Sequence, residues 1–467
     1  MRTFARTIKT FAISTLGCKV NQYESQQIRD LLERLGLKQV EMPKNEPDLV
    51  VINTCCVTHT ASAKSRQYIR KAQKLSPDAL IAVSGCLPTV QIGELNNLGK
   101  NVHLVSQKET LATTLSQIIN GEAMGWDHPN IQFCPDNNIK AKNRTKIKYK
   151  NKLANPPELK PLTSFKGHTR AFLKIQDGCD GYCTYCIVPK TRPYVHSKSA
   201  EMVLKEAQAL VAAGHKEIVV TGIFLGAYGQ KSVIRKNWGE QQNEKLADLL
   251  DKMGEIPNLS RIRLSSLEPG DITQRLLDTF TKHRNIMPHL HLSLQSGSEG
   301  VLKRMRRQYK ISEFLKAVDL IKSRLDRPAI TTDIIVGFPG ETDADFEATF
   351  ELAKEVGFAK MHIFSFSKRA GTVAACMQGS VDNRVIKRRS KILRDLNSEL
   401  EYKFRQQFIG EKDEILLEES EGECKGRSKR YFVVRLEKIK GNLQKGDVVR
   451  VKLVENRENC AIGQAER

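Results

Sequence analysis

Three cysteines in the run DGCDGYCTYCIVP (Cys179, Cys183 and Cys186) are separated by three and then two residues. Thiolates at that spacing wrap one face of a cubane iron-sulfur cluster and leave its fourth iron without a protein ligand. A zinc knuckle is the competing reading, but structural zinc takes four ligands and no fourth Cys or His follows at regular spacing. A second set lies upstream, in TLGCKVNQYES, VINTCCVT and VSGC, where Cys18, Cys55 and Cys86 each close a short apolar run. Loops at the C-terminal ends of parallel strands meet at one sheet edge, so these thiolates can converge on a second cluster. Buried structural cysteines are the alternative. Cys56 adjoins Cys55, and adjacent side chains of an extended chain point opposite ways, which predicts that only Cys55 faces the cluster. Cys134, Cys376, Cys424 and Cys460 lack a ligand-like context and read as structural or incidental.

The elements that must position these residues show in the hydrophobic pattern. FAIST, QIRDLLERLG, DLVVINT, AKSRQYIRKAQKL and ALIAVSG alternate strand and helix periods, which predicts a parallel α/β domain over residues 9–125. Residues 126–164 break the rhythm with a lysine-rich polar run around Lys140 to Lys152, read as a basic linker. Six further strand-helix units over residues 165–405 suggest a partial or complete parallel barrel, whose chemistry belongs at the strand C-terminal ends. DEILLEES, RYFVVRLE and DVVRVKLVE predict a small all-β, OB-like barrel over residues 408–467. The fold class is therefore α/β with an added β-module.

Lys and Arg outnumber Asp and Glu by 75 to 53, a net charge of +22. Such an excess favours a polyanionic partner, nucleic acid first, over the alternative of a basic surface kept for solubility. No run approaches the ~20 apolar residues that span a bilayer, and no secretory leader pattern opens the chain, so a cytoplasmic protein with reduced thiols and no membrane partner is expected. A Ser/His/Asp constellation is not evident.

These features in this order resemble the methylthiotransferases, radical S-adenosylmethionine (radical SAM) enzymes, over nearly the whole chain. The residues that carry the resemblance are STLGCKVNQYES, KIQDGCDGYCTYCIVP, RLSSLEP, HLSLQSGSEGVLKRMRRQY and GRSKRYF. The resemblance implies a three-cysteine N-terminal domain, a radical SAM barrel and a C-terminal TRAM domain that binds RNA. It also implies two 4Fe-4S clusters and S-adenosylmethionine. Cys179, Cys183 and Cys186 would then hold the cluster that cleaves S-adenosylmethionine to a hydrogen-abstracting radical, and Cys18, Cys55 and Cys86 the cluster that carries the transferred sulfur. Tyr185, Thr221, Gly222, Ser293, Gln295 and Gly337, with Glu341, would line the S-adenosylmethionine pocket. Lys425, Arg427, Lys429 and Arg430, ahead of Tyr431 and Phe432, mix charge for RNA phosphates with aromatic surface for bases, although a solvated basic hairpin reads the same way. KTRPYVHSK departs from the usual Arg-Gly followed by Arg-Ser after the third barrel cysteine.

Within the family the motifs are most similar to the branch that methylthiolates carbon 2 of N6-threonylcarbamoyladenosine at position 37, in the anticodon loop of tRNA. That reading implies an electron donor such as flavodoxin or ferredoxin and a small-molecule sulfur source. The rival substrates are isopentenyladenosine in tRNA and a ribosomal-protein aspartate. Outside the enzymes, the rival is an RNA-binding protein whose iron-sulfur centres are structural.

Overall fold

The computed structural model describes residues 7–90, 95, 99, 101–106, 110–121, 158–238, 243–420, 422–437 and 443–466. Cys134 and the basic run at Lys140 to Lys152 lie outside the described residues. The chain divides into two compact units: one holds residues 1–162 with Arg369–Ala375, the other residues 163–368 with 376–467. The short stretch from Arg369 groups with the first unit, where its buried guanidinium donates to Cys56 O and to Ser62 Oγ (2.8 Å). The C-terminal β-module groups in the same compact unit as the parallel barrel.

The first unit is built on a five-stranded sheet of β1 (Thr10–Thr15), β2 (Lys38–Gln39), β3 (Leu49–Thr54), β4 (Leu80–Gly85) and β5 (Val102–Leu104), in the order β2-β1-β3-β4-β5 with parallel pairings throughout. Central β3 reads LVVINT and is buried along its whole length, as a strand covered on both faces must be. The flanking helix Lys19–Arg34 buries Ile28, Leu31 and Leu32 against Phe11, Leu49 and Val51. Thr58 starts the next helix, His59–Leu75, by accepting from the Ala61 N–H. Each of β1, β3 and β4 therefore ends at the same sheet edge, just before a cysteine.

In the second unit β6 (Ala171–Lys174) leads into a short antiparallel pair, β7 (Gln176–Asp177) with β8 (His196–Ser197). There follow β9 (Glu217–Thr221), β10 (Arg261–Leu264), β11 (Ser266–Leu267), β12 (His289–Leu292), β13 (Ala329–Val336) and β14 (Lys360–Ser365). The pairings run β6-β9-β10 and β11-β12-β13-β14, all parallel. Ser265 is the single residue between β10 and β11, so one chain segment passes from the first ladder to the second. The result is an open barrel of six parallel strands with intervening helices, as the alternating pattern predicts.

The β-module is a closed barrel of β15 (Lys412–Glu419), β16 (Lys425–Ser428), β17 (Val433–Glu437), β18 (Val448–Asn456) and β19 (Ala461–Ala465), ordered β15-β16-β17-β19-β18. Closure removes every free strand edge. Its core of Ile415, Leu417, Val434, Leu436, Val451 and Leu453 continues onto Phe404 of the preceding helix Asn383–Gln406 and onto Phe408 just beyond it. Seating on the parallel barrel comes from β10, where RIRL alternates two arginines to one side. Arg261 donates to Arg427 O (2.9 Å) and Glu414 O (2.6 Å), and Arg263 to Lys429 O (2.9 Å) and Ser428 O (2.7 Å). Both arginines are fully buried and share Glu217, 2.9 Å from Arg263 and 3.6 Å from Arg261. A buried charge survives only when paired and hydrogen-bonded, and these two are.

Candidate active site

The three-cysteine loop of the second unit leaves β7 at Gly178. Gly178 has φ +82°, and a Cβ there would lie 1.7 Å from Tyr194 O, so only glycine lets residues 192–195 cross at this point. Those residues belong to the departure KTRPYVHSK, and the structure gives them a supporting role. Arg192 is buried with two contacts to Asp177 (2.8 and 3.1 Å), and its carbonyl accepts from the Cys179 N–H (2.8 Å). Gln176 clamps the same corner by donating to Asp177 O and Gly178 O while accepting from the Phe224 N–H.

Beyond that corner the Gly181 N–H points at Cys179 Sγ (3.4 Å) and Arg307 Nη1 at Cys183 Sγ (3.2 Å). Burial, opposed by the Gly181 N–H and reinforced by Cys186 and Cys183, pushes the Cys179 thiol up to about 12. Metal binding at Cys179 therefore has to displace its proton. Arg307 also reaches the Tyr185 hydroxyl (3.3 Å), pairs with Glu268 and lies over the Tyr309 ring (5.0 Å). Arg235 joins Glu268 to Asp271 (2.7 Å). Sequence reasoning missed this charged ring of Arg307, Glu268, Arg235 and Asp271. Part of the signal was present in RLSSLEP and RMRRQY, as the opposite charges of Glu268 just after β11 and Arg307 just after the helix Glu299–Met305.

The expected cofactor-lining residues are found at the strand ends. Thr221 ends β9 and its carbonyl accepts from the Ile175 N–H (2.9 Å), with Gly222 against Gln176. Ser293 follows β12, and its carbonyl accepts from the Tyr309 hydroxyl (2.7 Å). Gln295 takes φ +68° and bonds β13 through Asp333 O and the Ile335 N–H. The Gly337 N–H donates to Glu341 (3.1 Å), whose carboxyl is raised by burial although Arg389 pairs with it.

In the first unit the three predicted cysteines meet. A Cβ on Gly17 (φ +106°) would fall 2.6 Å from Cys55 Cβ, and one on Gly85 (φ +90°) 2.3 Å from Thr54 O. Each flanking cysteine is thus brought in by a glycine that crowds the central loop. Asn21 ties the loops by donating to Leu16 O (2.8 Å) and Thr54 O (2.9 Å). Burial pushes the Cys55 thiol up to about 11, with Cys86 and Cys18 adding to it. Cys56 is fully buried and turns its thiol to Cys86 O (3.3 Å).

Both triads fit a cluster better than a single ion. Thiolates on one tetrahedral zinc lie about 3.8 Å apart, from Zn–S bonds near 2.3 Å. Among the described residues, the groups of three or more ligand atoms within 4.8 Å of one another are His291, Asp333 and His362, and Asp251, Glu255 and His283. Neither cysteine triad is drawn that tight, and in the barrel triad N–H donors face the Cys179 and Cys183 sulfurs, as iron-sulfur ligation favours.

The four expected RNA contacts are all engaged within the second unit. Lys425 pairs with Glu419 (2.8 Å), Arg427 with Glu418 (3.2 Å), Lys429 with Glu414 (3.1 Å) and Arg430 with Asp326 (3.0 Å). Arg427 lies 4.9 Å over the Tyr431 ring, which also meets Arg263 (5.0 Å) and Arg170 (5.1 Å), while Arg430 covers Phe408 (4.4 Å). Lys425 and Lys429 keep 37% of their side-chain surface exposed, against 13% for Arg430.

An open six-stranded parallel barrel with a three-thiol loop after its first strand is the architecture of a radical SAM enzyme. Residues 173–353 indeed match the radical SAM superfamily, and residues 10–106 match uncharacterized protein family UPF0004. The radical SAM methyltransferase TsrM of Kitasatospora setae, solved with cobalamin and a 4Fe-4S cluster, shares the fold with a TM-score of 0.54 at 12% identity, over 77% of this chain and 72% of that one. The chain is 36% identical over 464 residues, 99% of each chain, to the threonylcarbamoyladenosine tRNA methylthiotransferase MtaB of Chlamydia pneumoniae. It is 32% identical over 432 residues, 90% of this chain and 89% of the other, to the tRNA-2-methylthio-N(6)-dimethylallyladenosine synthase of Bartonella bacilliformis. The chain belongs to the tRNA methylthiotransferase family, whose members work with 4Fe-4S clusters and S-adenosylmethionine. Among the described residues no helix is long and apolar enough to cross a membrane.

Proposed function

We propose that this enzyme methylthiolates carbon 2 of the adenine in N6-threonylcarbamoyladenosine at position 37 of tRNA. The observation that carries the reading is similarity along the full chain to a relative named for that nucleoside. When bound, the clusters and S-adenosylmethionine supply the electron, the hydrogen-abstracting radical, and the sulfur and methyl that are transferred. The rest falls to this chain's own side chains. Cys179, Cys183 and Cys186 hold the barrel cluster, with Gly178 and Arg192 fixing where their loop begins. Cys18, Cys55 and Cys86 hold the sulfur-carrying cluster, which the Asn21 amide orients through the loops on either side. Arg307 keeps positive charge beside the Cys183 sulfur, where it offsets the negative charge of a thiolate-bound cluster.

On the RNA side, Lys425 and Lys429 are the members of the predicted set that remain reachable, in exposed ion pairs that a phosphate can replace at little cost. An electron donor of the flavodoxin or ferredoxin type and a small-molecule sulfur source complete the cycle, in the cytoplasm.

Nucleoside analysis of tRNA from a strain lacking the gene tests the assignment. Loss of the methylthio group with the threonylcarbamoyl side group left behind supports it; loss from a dimethylallyl nucleoside, or unchanged tRNA, overturns it. Iron counting on the reconstituted protein separates the two clusters. About eight irons per chain should fall to about four when Cys18, Cys55 and Cys86 are all replaced by Ala.

A further inference from the structure

One face of the last three barrel strands is not filled in the usual way. On β12, β13 and β14 the side chains alternate: Leu290, Leu292, Ile330, Thr332, Ile334 and Met361 are buried. On β14 that covered side faces the helix Asn383–Gln406, since the Ser365 side chain meets Ser390. The opposite side of the same strands carries His291, Thr331, Asp333, His362 and Phe364. Parallel barrels pack branched aliphatic side chains on their inner side. Here Thr331 is buried under His291, His291 and Asp333 are half-buried, His362 is exposed and Phe364 is 44% exposed, so the surface is polar and opens toward an aromatic at its edge.

The register locks these groups together. Asp333 stands beside His362 and Ile335 beside Phe364, while Thr331 stands beside His291. His291 places Nδ1 3.0 Å from Thr331 Oγ1 and Nε2 3.4 Å from Asp333 Oδ2, and its ring centroid lies 5.9 Å from that of His362. Two residues beyond His291, just past the end of β12, comes Ser293, at the end of the barrel where the three-cysteine loop opens.

We propose that this face is the dock for the target purine of the tRNA, with Phe364 and His362 as its stacking platform and Asp333 as hydrogen-bond acceptor for the base. The proposal rests on the tRNA-modifying reading above and names the groups that hold the base. An enzyme that acts on a base carbon must take that base out of its stack, and proteins hold extruded bases on aromatic faces with polar groups at the base edge. An aliphatic barrel wall offers only shape. This one offers two rings, a carboxylate that accepts from an exocyclic or carbamoyl N–H, and open space beside them. Phe364 and His362 sit two residues apart on one strand, so both rings present themselves on the same side. The competing occupant is a metal ion, because His291, Asp333 and His362 bring their ligand atoms within 4.8 Å of one another.

The test uses the full-length, cluster-reconstituted enzyme and a tRNA substrate, reading methylthio product and 5'-deoxyadenosine together. Phe364→Ala should lower kcat/KM for tRNA roughly 5- to 150-fold, the loss of one base–aromatic stack. It should also release more 5'-deoxyadenosine per methylthio group, because a poorly held base yields its hydrogen less often. Phe364→Tyr should restore both values, and Asp333→Asn should uncouple in the same direction as Phe364→Ala. Parent-like efficiency and parent-like coupling in both Phe364→Ala and Asp333→Asn overturn the dock. Stoichiometric zinc retained by the parent beyond its clusters, and lost in His362→Ala, overturns it in favour of a metal site. If the parent modifies a different adenosine, the substrate reading fails, and the same comparison on that adenosine still decides the dock.

Discussion

Replacing Gly178 by Ala should abolish the barrel cluster while leaving the first-unit cluster in place. The new methyl group would lie 1.7 Å from Tyr194 O, and ordinary contact begins near 3.4 Å, so the crossing segment must retreat by 3.4 − 1.7, about 1.7 Å. That segment cannot retreat alone. It carries Arg192, whose carbonyl holds the Cys179 N–H at 2.8 Å and whose guanidinium holds Asp177, and it runs into β8 beside β7. A non-glycine residue at φ +82° costs ~1–2 kcal/mol. Forcing an extra methyl into a closed site costs typically ~1–3 kcal/mol more. The sum, about 2–5 kcal/mol, exceeds what one backbone hydrogen bond to Cys179 returns, ~1 kcal/mol, so the loop start is displaced. Iron and sulfide should be counted after anaerobic reconstitution, with electron paramagnetic resonance of the reduced protein. About four irons should remain of about eight, and 5'-deoxyadenosine should not form. A variant with its full iron complement and parent-level 5'-deoxyadenosine would refute the claim that this crossing positions the triad.

Gly17→Ala should do the reverse, losing the first-unit cluster because its Cβ would lie 2.6 Å from Cys55 Cβ, while S-adenosylmethionine cleavage persists. Tyr431→Ala should loosen the β-module, since the ring meets three guanidinium groups and each such contact is worth ~0.5–2 kcal/mol; faster proteolytic release of residues beyond 410 with iron content unchanged is the expected readout. Asp251 is hydrogen-bonded by Lys282 (2.7 Å), His283 and Arg275 (3.1 Å), which hold its carboxyl well below the usual carboxylate range. A depressed carboxyl stabilises the fold above its unfolded pKa of about 3.9 and loses that contribution as pH falls below it. Denaturant midpoints should therefore place Asp251→Asn below the parent at pH 7, with the gap closing below about pH 4.

The cysteines are legible in the sequence because their ligand spacing is local in one case and tied to strand ends in the other. Strand-helix alternation needs no long-range information, so DLVVINT and AITTDIIVGF declare themselves as buried parallel strands from their residue pattern alone. Strand alternation separates Cys55 from Cys56 on paper, yet β3 ends at Thr54, and loop geometry decides instead. The Cys56 thiol lies against Cys86, at its carbonyl (3.3 Å) and its side chain. The Arg261 and Arg263 pair is hidden in the sequence because RIRL reads as an ordinary strand with one polar face. Nothing in a strand period says that this face meets Glu217 and four carbonyls of a segment more than 150 residues later.

The basic hairpin illustrates the same limit from the other side. A run such as KGRSKR reports charge, and charge has two outlets: an external polyanion, or carboxylates and carbonyls of the same chain. Arg427 and Arg430 take the second outlet, against Glu418, Asp326 and the rings of Tyr431 and Phe408. Composition alone cannot apportion a net charge of +22 between those uses. Burial can, because a guanidinium withdrawn from water and already paired gains little from a phosphate and loses its existing partners on reaching for one. The RNA-facing charge of the β-module is therefore to be sought on its exposed lysines. A charge-neutral Lys425→Gln, Lys429→Gln variant should reduce the salt dependence of tRNA binding, lowering the slope of log K against log salt by up to about 1.8, from ~0.9 per phosphate contact. An unchanged slope would place those contacts elsewhere on the chain.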